Sequence, residues 1–357
     1  MKQDKFTHFK GRGAPSNPPD RYAASSRAAF DDGWGTLAKQ PAGPQTSLAV
    51  DRSRRVIAYN ASPDVPFDRS INPYRGCEHG CIYCYARPGH AWLGHGPGLD
   101  FETRLYHKPD APACLQRELA ARGYVCAPIV IGGVTDAYQP VEQRLGLTRQ
   151  ILELLHATGH PCSIVSKSAL VERDQDLLAA MAGQHRAQVC ISLTTLDREL
   201  ARRLEPRAAS PQRRLEVIRR LVRAGIPVGV LIAPLIPVLT DPELEQLMQA
   251  AREAGATSAR YVLLRLPLEV APLFSEWLET HEPGKAQRVL ERIRDTRGGQ
   301  LYRADFSQRM RGSGVYAHLL AQRFRLAHRR LGYTEPTELD CSGFRRPAAD
   351  ARQMHLW

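Results

Sequence analysis

Residues 72–87 read NPYRGCEHGCIYCYAR and contain three of the eight cysteines of the chain, Cys77, Cys81 and Cys84. Thiols separated by three and then two residues can turn inward from one loop and hold one compact metal centre. The glycines at 76 and 80 allow the backbone to turn tightly around that centre. Three thiolates on a cubane iron–sulfur cluster leave one iron without a protein ligand, and such an open position can bind a substrate or cofactor directly.

Zinc is the alternative occupant of this loop. Structural zinc sites use four ligands at similarly short spacings. The fourth ligand here would be His79, His90, His95 or a distant residue, because no second cysteine pair follows. The other cysteines are scattered singly along the chain: Cys114, Cys126, Cys162, Cys190 and Cys341. That dispersion favours neither a second cluster nor a disulfide framework.

The pattern Cys77-x3-Cys81-x-Tyr83-Cys84 resembles the radical S-adenosylmethionine (radical SAM) superfamily. The residues at 72–79 and 83–87 are similar to the branch related to spore photoproduct lyase, often labelled DNA-repair-photolyase-like, and the resemblance covers about residues 70–240. It implies a [4Fe–4S] cluster whose open iron is chelated by the amino and carboxylate groups of S-adenosylmethionine. An external electron donor of the flavodoxin or ferredoxin type would then drive cleavage of the C–S bond to a 5′-deoxyadenosyl radical, which abstracts hydrogen from a substrate.

Strands and helices alternate on both sides of this loop. The hydrophobic pattern predicts strands at 55–59, 101–107, 129–131, 163–165, 188–193, 228–232 and 261–264, and helices at 111–122, 141–157, 174–182, 213–224, 242–254 and 268–278. Strands separated by helices of this length form parallel βαβ units with right-handed crossovers. With a strand before Cys77, six or seven units predict an α/β fold, an open (β/α)6-type partial TIM barrel. Its chemistry is expected at the carboxyl ends of the strands.

Polar residues follow three consecutive predicted strands. Thr135 and Asp136 could accept hydrogen bonds from an ammonium group, Lys167 could pair with a carboxylate, and Ser192 could add a hydrogen bond to that carboxylate. Helix capping and turn formation also explain such residues, and core packing also explains Tyr83. The resemblance implies that Tyr83 packs near the adenine and that the other positions contact S-adenosylmethionine. The residues assigned to the cofactor are Tyr83, Gly132, Gly133, Thr135, Asp136, Lys167 and Ser192.

One position departs from the pattern of spore photoproduct lyase. That enzyme places a hydrogen-donating cysteine after the corresponding strand, where this sequence has Gly132–Gly133. Cys126 lies at the front end of the strand and is expected to point elsewhere. Thymine-dimer repair by the same route is therefore not expected, and the catalytic hydrogen donor stays unassigned.

Composition and charge place the chain in a broad class. It has 357 residues, a net charge of +12 and ordinary globular composition. Neither an apolar run long enough for a membrane span nor a secretory signal at residues 1–10 is present, so a cytoplasmic protein is expected. Residues 1–60 and 301–357 each carry ten Lys and Arg against five acids. Three regions are predicted: a basic, Gly/Pro-rich extension at 1–60, a radical SAM core at 61–300 and an Arg-rich extension at 301–357.

Three functions follow from these features. The first is a radical SAM enzyme with an unidentified substrate that could be a nucleic acid, bound as DNA or RNA through the basic ends. The second is a zinc-stabilised nucleic-acid-binding protein. The third is a radical SAM enzyme acting on a peptide or small metabolite, in which the basic ends are ordinary solvated surface.

Overall fold

The computed structural model describes residues 9–23 and 44–348, and ten strands lie within them in two sheets. The strands are β1 (Ser47–Val50), β2 (Ile57–Tyr59), β3 (Arg69–Ile71), β4 (Tyr74–Arg75), β5 (Arg104–His107), β6 (Ile129–Ile131), β7 (Cys162–Ser166), β8 (Ala187–Ser192), β9 (Val228–Leu235) and β10 (Ser258–Leu263). The smaller sheet has the order β1-β5-β4. It packs beside the cysteine loop, since β4 leads directly into that loop.

Helices separate most of these strands. They are α1 (Leu99–Thr103), α2 (Ala111–Ala120), α3 (Glu142–Leu145), α4 (Leu147–Ala157), α5 (Gln175–Ala182), α6 (Arg198–Leu204), α7 (Pro211–Arg223), α8 (Leu244–Glu253), α9 (Val270–His281), α10 (Ala286–Asp295), α11 (Gln308–Arg311) and α12 (Gly314–Arg330). Across the described part of the chain, no helix combines the length and the apolar character that a membrane crossing requires.

The larger sheet has the order β10-β9-β8-β7-β6-β3-β2. Each neighbouring pair from β3 to β10 is parallel, and only β2 runs antiparallel at the edge. Six parallel strands thus follow one another in chain order, and the edge strands β2 and β10 do not pair. This arrangement confirms the predicted open, six-stranded partial barrel. The carboxyl ends of all six strands meet at one edge, where ligands bind in such folds.

Strand β7 illustrates how the sequence builds the two faces of this sheet. Cys162 and Ile164 are buried in the main hydrophobic core together with helix residues such as Ile151. Ser163 and Val165 point to the opposite face and are only partly buried. One face therefore packs on the helices, while the other lines the concave side of the open barrel.

Two predicted elements differ from the structure. The strand expected over 101–107 begins only at Arg104, because residues 99–103 form α1. Phe101 and Leu105 are both buried, and their spacing fits a helical turn as well as an alternating strand. The single helix expected over 141–157 is split at Gly146, which has a positive φ of 64°. That conformation ends α3 and starts α4 in a new direction.

The described terminal segments lie at opposite edges of the sheet. Residues 12–18 pack against the cysteine loop, as detailed below. The tail after α12 runs across the amino ends of the strands, where Thr334, Asp340 and Arg345 donate backbone hydrogen bonds to residues that precede β10, β8 and β7. Cys126 lies near Cys341 in this tail, where burial and that neighbour raise the pKa of Cys126, so it points away from the carboxyl edge as expected. The boundaries 1–60, 61–300 and 301–357 stay predictions.

Candidate functional site

The three clustered cysteines lie at the carboxyl edge of the barrel, in the loop that follows β3 and β4. Cys77 and Cys81 are buried, and Cys84 is partly exposed. Successive backbone hydrogen bonds, from Gly80 to Cys77 (3.4 Å) and from Cys84 to Cys81 (3.2 Å), fold the loop into turns. Burial raises the pKa of all three thiols. A metal centre bound here would therefore displace protons as it formed its thiolate bonds.

The three histidines that could complete a zinc site each contact another protein group. Within residues 9–23 and 44–348, no group of three or more His, Cys, Asp or Glu side chains, the three cysteines included, is placed to hold one metal ion. His79 Nδ1 lies 3.3 Å from the carboxylate of Asp136. His90 Nε2 lies 3.0 Å from the Arg104 carbonyl, and burial lowers the pKa of His90 to about 4. His95 bonds the Tyr106 hydroxyl at 2.7 Å.

Behind the loop stands a fully buried ion pair that the sequence analysis missed. Arg87 donates to the Cys81 carbonyl at 3.0 Å and to the Gly80 carbonyl at 3.2 Å. The same guanidinium pairs with Glu102 at 2.6 Å, and both side chains have 0% exposure. Gly80 has a positive φ of 66°, and a Cβ there would lie 2.8 Å from the Glu102 carboxylate. The pair therefore fixes the backbone on which the cysteines are mounted.

A segment near the amino terminus covers this ion pair. We call residues 12–18 the N-terminal strap. The backbone N–H groups of Gly13 and Ala14 donate to the two Glu102 oxygens at 3.0 and 2.9 Å. The strap passes so close to the loop that a Cβ on Gly13 would lie 1.8 Å from the Gly80 carbonyl oxygen. Part of the predicted 1–60 extension is thus built into the support of the cysteine loop.

The glycine turn after β6 gives its two glycines different environments. Gly132 has a positive φ of 85°, and a Cβ there would lie 2.6 Å from the Val165 carbonyl oxygen. Around Gly133 nothing lies closer than 3.7 Å to such an atom, and its own carbonyl accepts a hydrogen bond from the Tyr85 hydroxyl. Gly132 is therefore required by the backbone, whereas a Cβ at Gly133 would make only ordinary van der Waals contacts with the side chains of Phe67, Ser70 and Val130.

Thr135 and Asp136 complete this turn and are both largely engaged by protein groups. The Thr135 hydroxyl donates to the Tyr74 carbonyl at 2.9 Å. Asp136 accepts from the Ser166 hydroxyl at 2.9 Å and from the Lys167 backbone N–H at 2.7 Å. Burial alone would raise the pKa of Asp136, but the nearby His79 and these donors lower it below its usual value. Asp136 is thus held as a carboxylate at the ends of β6 and β7.

Lys167 is the centre of a polar network at the ends of β7, β8 and β9. Its ammonium donates to the Ser192 hydroxyl at 2.6 Å and to the Ala233 carbonyl at 3.1 Å. It also lies 3.2 Å from a carboxylate oxygen of Glu205. The ring of Tyr83 stands beside it, with its centroid 5.7 Å from the ammonium nitrogen. Tyr83, Lys167 and Ser192, which the sequence predicts separately, therefore form one contact group.

The carboxylate in this network, Glu205, was not predicted. It accepts hydrogen bonds from the Tyr83 hydroxyl and from the guanidinium of Arg214. Burial opposes the charged form, but Arg214 and Lys167 lower the pKa of Glu205 well below its usual value. One buried carboxylate thus faces two cations. One positive charge is therefore left without a counter-charge, and it belongs to Lys167, whose side chain is 15% exposed. This unpaired charge favours an anionic ligand group.

Comparison with known protein families identifies the class of this protein. The family model described as the Radical SAM superfamily matches residues 71–251. The chain therefore belongs to the radical SAM superfamily, and it is an enzyme of that class. The matched segment includes the cysteine loop, the glycine turn, Lys167 and Glu205.

Curated relatives align with much of this chain. An uncharacterized protein of Mycobacterium tuberculosis is 38% identical over 232 residues, covering 64% of this chain and 68% of that protein. An uncharacterized protein of Methanocaldococcus jannaschii is 31% identical over 213 residues, covering 60% and 76%. A radical SAM Nalpha-GlyT isomerase of Pseudomonas phage M6 is 25% identical over 250 residues, covering 65% and 50%.

Solved structures show the same fold. A variant of spore photoproduct lyase superposes with a TM-score of 0.59 at 17% identity, covering 80% of each chain. The complex of that enzyme with dinucleoside spore photoproduct superposes with a TM-score of 0.57 at 18% identity, again over 80% of each chain. The predicted relationship to this branch is thus confirmed at the level of the fold.

The residues present fit the cofactors that the family implies. Three thiols in one loop are soft ligands of the kind that iron–sulfur clusters use. Beside them, the Lys167 ammonium can bind a carboxylate group of a ligand, and the Asp136 carboxylate can bind an ammonium group. This complementarity matches the methionine end of S-adenosylmethionine, which carries both charges.

Proposed function

We propose that this enzyme reductively cleaves S-adenosylmethionine at a [4Fe–4S] cluster bound by Cys77, Cys81 and Cys84. The observation that carries the proposal is the position of these thiols at the carboxyl edge of an open six-stranded barrel, beside a lysine with surplus charge. When bound, the cluster and S-adenosylmethionine together supply a 5′-deoxyadenosyl radical that abstracts hydrogen from a substrate. An external flavodoxin- or ferredoxin-type protein is the proposed source of the electron.

The side chains around the cluster are proposed to bind and orient the cofactor. Lys167 pairs with its carboxylate, and Ser192 holds the Lys167 ammonium in place through the 2.6 Å hydrogen bond. Asp136 and Thr135, with the backbone of Gly132 and Gly133, surround its ammonium group. The ionised state of Asp136 supports this role, because a carboxylate attracts a cation.

Tyr83 is proposed to pack near the adenine. The bond from its hydroxyl to Glu205 fixes the plane of the ring, since Glu205 is itself held by Arg214. The substrate that we propose is a nucleic acid. Support comes from the likeness of the fold to spore photoproduct lyase, one of whose structures contains a dinucleoside spore photoproduct.

The test is to reconstitute the protein anaerobically with iron and sulfide, reduce it with dithionite and measure 5′-deoxyadenosine by chromatography. The expected result is bound iron and sulfide, a broad brown absorbance and 5′-deoxyadenosine. A triple Cys77→Ala, Cys81→Ala, Cys84→Ala variant is expected to lose all three. Cys114→Ala, which removes a buried thiol on α2, is the matched control and is expected to keep them.

Two results would contradict the proposal. One is stoichiometric zinc without iron or sulfide, which would favour the nucleic-acid-binding module. The other is reduced enzyme that carries a full cluster and yields no 5′-deoxyadenosine.

A further inference from the structure

A second cation stands at the same edge of the barrel and forms no ion pair with the described acidic residues. Arg265 lies just after β10 and is partly buried. Within the described residues its guanidinium makes no hydrogen bond and no ion pair. Its contact is with the ring of Tyr85, whose centroid lies 4.4 Å from the guanidinium carbon. A stacked guanidinium keeps its in-plane N–H donors free for a ligand.

The charges around Arg265 are also mainly positive. Arg297 donates only to backbone carbonyls, at 2.8 Å to Leu264 and 2.6 Å to Gln308. Arg309 is paired with Asp64 at 2.5 Å. Burial lowers the pKa of Arg265 and Arg309 adds to this shift, while Tyr85, Tyr302 and Asp64 oppose it. Arginine nevertheless stays protonated in proteins, so this group of three guanidiniums and one carboxylate attracts an anion.

Arg265 is directly connected to the chemistry of the site. Tyr85 follows Cys84 in the chain, and its hydroxyl bonds the Gly133 carbonyl of the glycine turn. Through Tyr85 the guanidinium is therefore linked to both the cysteine loop and the glycine turn. An anionic group held there would be part of a substrate whose neighbouring atoms reach the reaction site.

Exposed aromatic rings accompany these cations. Tyr85 is 43% exposed and Phe306 is 56% exposed. The guanidinium of Arg309 lies 4.7 Å from the Phe306 ring centroid. Cations interleaved with accessible aromatic rings are typical of surfaces on which nucleic-acid bases stack while their backbone is neutralised. A small carboxylate metabolite would bind only to the guanidinium, so it would not account for the exposed aromatic rings.

We propose that Arg265 binds a phosphodiester group of a nucleic-acid strand beside the cysteine loop. This inference rests on the proposed function, because it names the group by which that site would recognise its substrate. It places recognition at Arg265 and Arg309, the latter within the predicted extension at 301–357, and not at the tail after α12. The described arginines of that tail, Arg345 and Arg346, lie near the amino edge of the sheet, on the far side from the cysteines.

The test measures strand binding by the reconstituted enzyme. Fluorescein-labelled single-stranded DNA and RNA of one mixed sequence are titrated under anaerobic conditions, and binding is followed by fluorescence anisotropy at several salt concentrations. Arg265→Gln is expected to weaken binding by on the order of tenfold, as for a lost charged hydrogen bond. The slope of log affinity against log salt is expected to fall by about 0.7, as for one phosphate on a single strand.

Two further variants make the test specific. Arg265→Lys keeps the charge without the planar fork and is expected to retain most of the salt slope. Arg219→Gln removes the same charge from an exposed position in the second half of α7 and is the matched control. Its affinity is expected to stay within about twofold of the parent enzyme, since exposed charges contribute little individually.

Tighter binding of DNA or of RNA identifies which polymer supplies the phosphodiester, and either result supports the inference.

Three outcomes would overturn it: equal weakening by Arg219→Gln, no binding of either strand by the parent enzyme, or weaker S-adenosylmethionine binding with unchanged strand binding in Arg265→Gln. The last outcome would assign Arg265 to the cofactor. Failure of the proposed S-adenosylmethionine cleavage is distinguished from these results, because it would appear as zinc without iron or sulfide, or as reduced, cluster-loaded enzyme that forms no 5′-deoxyadenosine.

Discussion

Two arginines flank the cysteine loop and have opposite surroundings. Arg87, behind the loop, is fully buried and donates to four backbone carbonyls and to the Glu102 carboxylate. Arg265, in front of the loop, lies on the ring of Tyr85 and has no acceptor among the described residues. The same side chain is therefore saturated by the protein on one side and left with free donors on the other.

This contrast separates support from recognition. A buried guanidinium is stable only when its donors are satisfied, so Arg87 holds the loop together. A guanidinium with free donors at the edge of a site is available to a ligand. Lys167 stands between the two cases, because it has protein partners and yet keeps partial exposure and surplus charge. Variants that weaken the support of the loop should lower the free energy of unfolding, whereas variants that remove a recognition group should lower ligand affinity.

The largest effect is expected behind the loop. Glu102→Gln keeps the volume of the side chain but leaves the Arg87 charge buried without a counter-charge, and Glu102 has 0% exposure. The free energy of unfolding is expected to fall by about 3–5 kcal/mol. Denaturant unfolding of the reconstituted enzyme, followed by circular dichroism, measures this loss.

The control for this variant is Glu245→Gln, which breaks a partly exposed pair with Arg323 on α12. Its cost is expected to stay below about 1 kcal/mol. Equal losses for the two variants would show that the Arg87–Glu102 pair has no special role in supporting the loop.

The second prediction concerns Lys167. Lys167→Met keeps the aliphatic chain and removes the ammonium, while Glu205 remains paired with Arg214. The affinity for S-adenosylmethionine is expected to fall by on the order of tenfold, because one charged hydrogen bond is lost. Equilibrium dialysis against the reconstituted enzyme measures it. Iron content is the second measurement. A parallel loss of iron would show that Lys167 supports the structure of the loop.

A matched control for Lys167→Met is Lys285→Met, which removes an exposed ammonium that lies 3.1 Å from Glu282. This variant is expected to bind S-adenosylmethionine like the parent enzyme. If it lowered the affinity as much as Lys167→Met, the effect would reflect overall charge rather than a contact.

The smallest effect is expected for Ser192→Ala. The Ser192 hydroxyl accepts from Lys167 and donates to the Ala233 carbonyl at 3.1 Å, so its loss frees the ammonium without removing it. A loss of about 1 kcal/mol in S-adenosylmethionine binding is expected, which is several-fold in affinity. In the double variant with Lys167→Met, the second change should add little, because the hydroxyl acts through the ammonium. Full additivity would contradict that role.

The fold was largely predictable because its signals are local. Short apolar strands separated by amphipathic helices specify parallel βαβ units, and their number specified an open barrel. The errors fell where local patterns are ambiguous. The spacing of Phe101 and Leu105 suits a strand or a helical turn, and the left-handed conformation of Gly146 interrupts a continuous helical pattern.

The candidate site was predictable in part for a similar reason. Residues that follow parallel strands must meet at one edge, so the positions of Lys167 and Ser192 could be anticipated from their places in the chain. The roles of Glu205 and Arg265 could not be anticipated, because the sequence around them does not show which groups they contact in the folded chain.

By itself, the sequence determined the three thiols, their spacing and the order of the strands that carry them to one edge. Only the tertiary structure decided which charges near that edge are neutralised. Glu102 is satisfied by the N-terminal strap, a segment 88–90 positions away in the chain, whereas Arg265 meets an aromatic ring. The physical reason is that a covalent pattern sets local geometry, while the pairing of a charge depends on which distant groups the folded chain brings within a few ångströms.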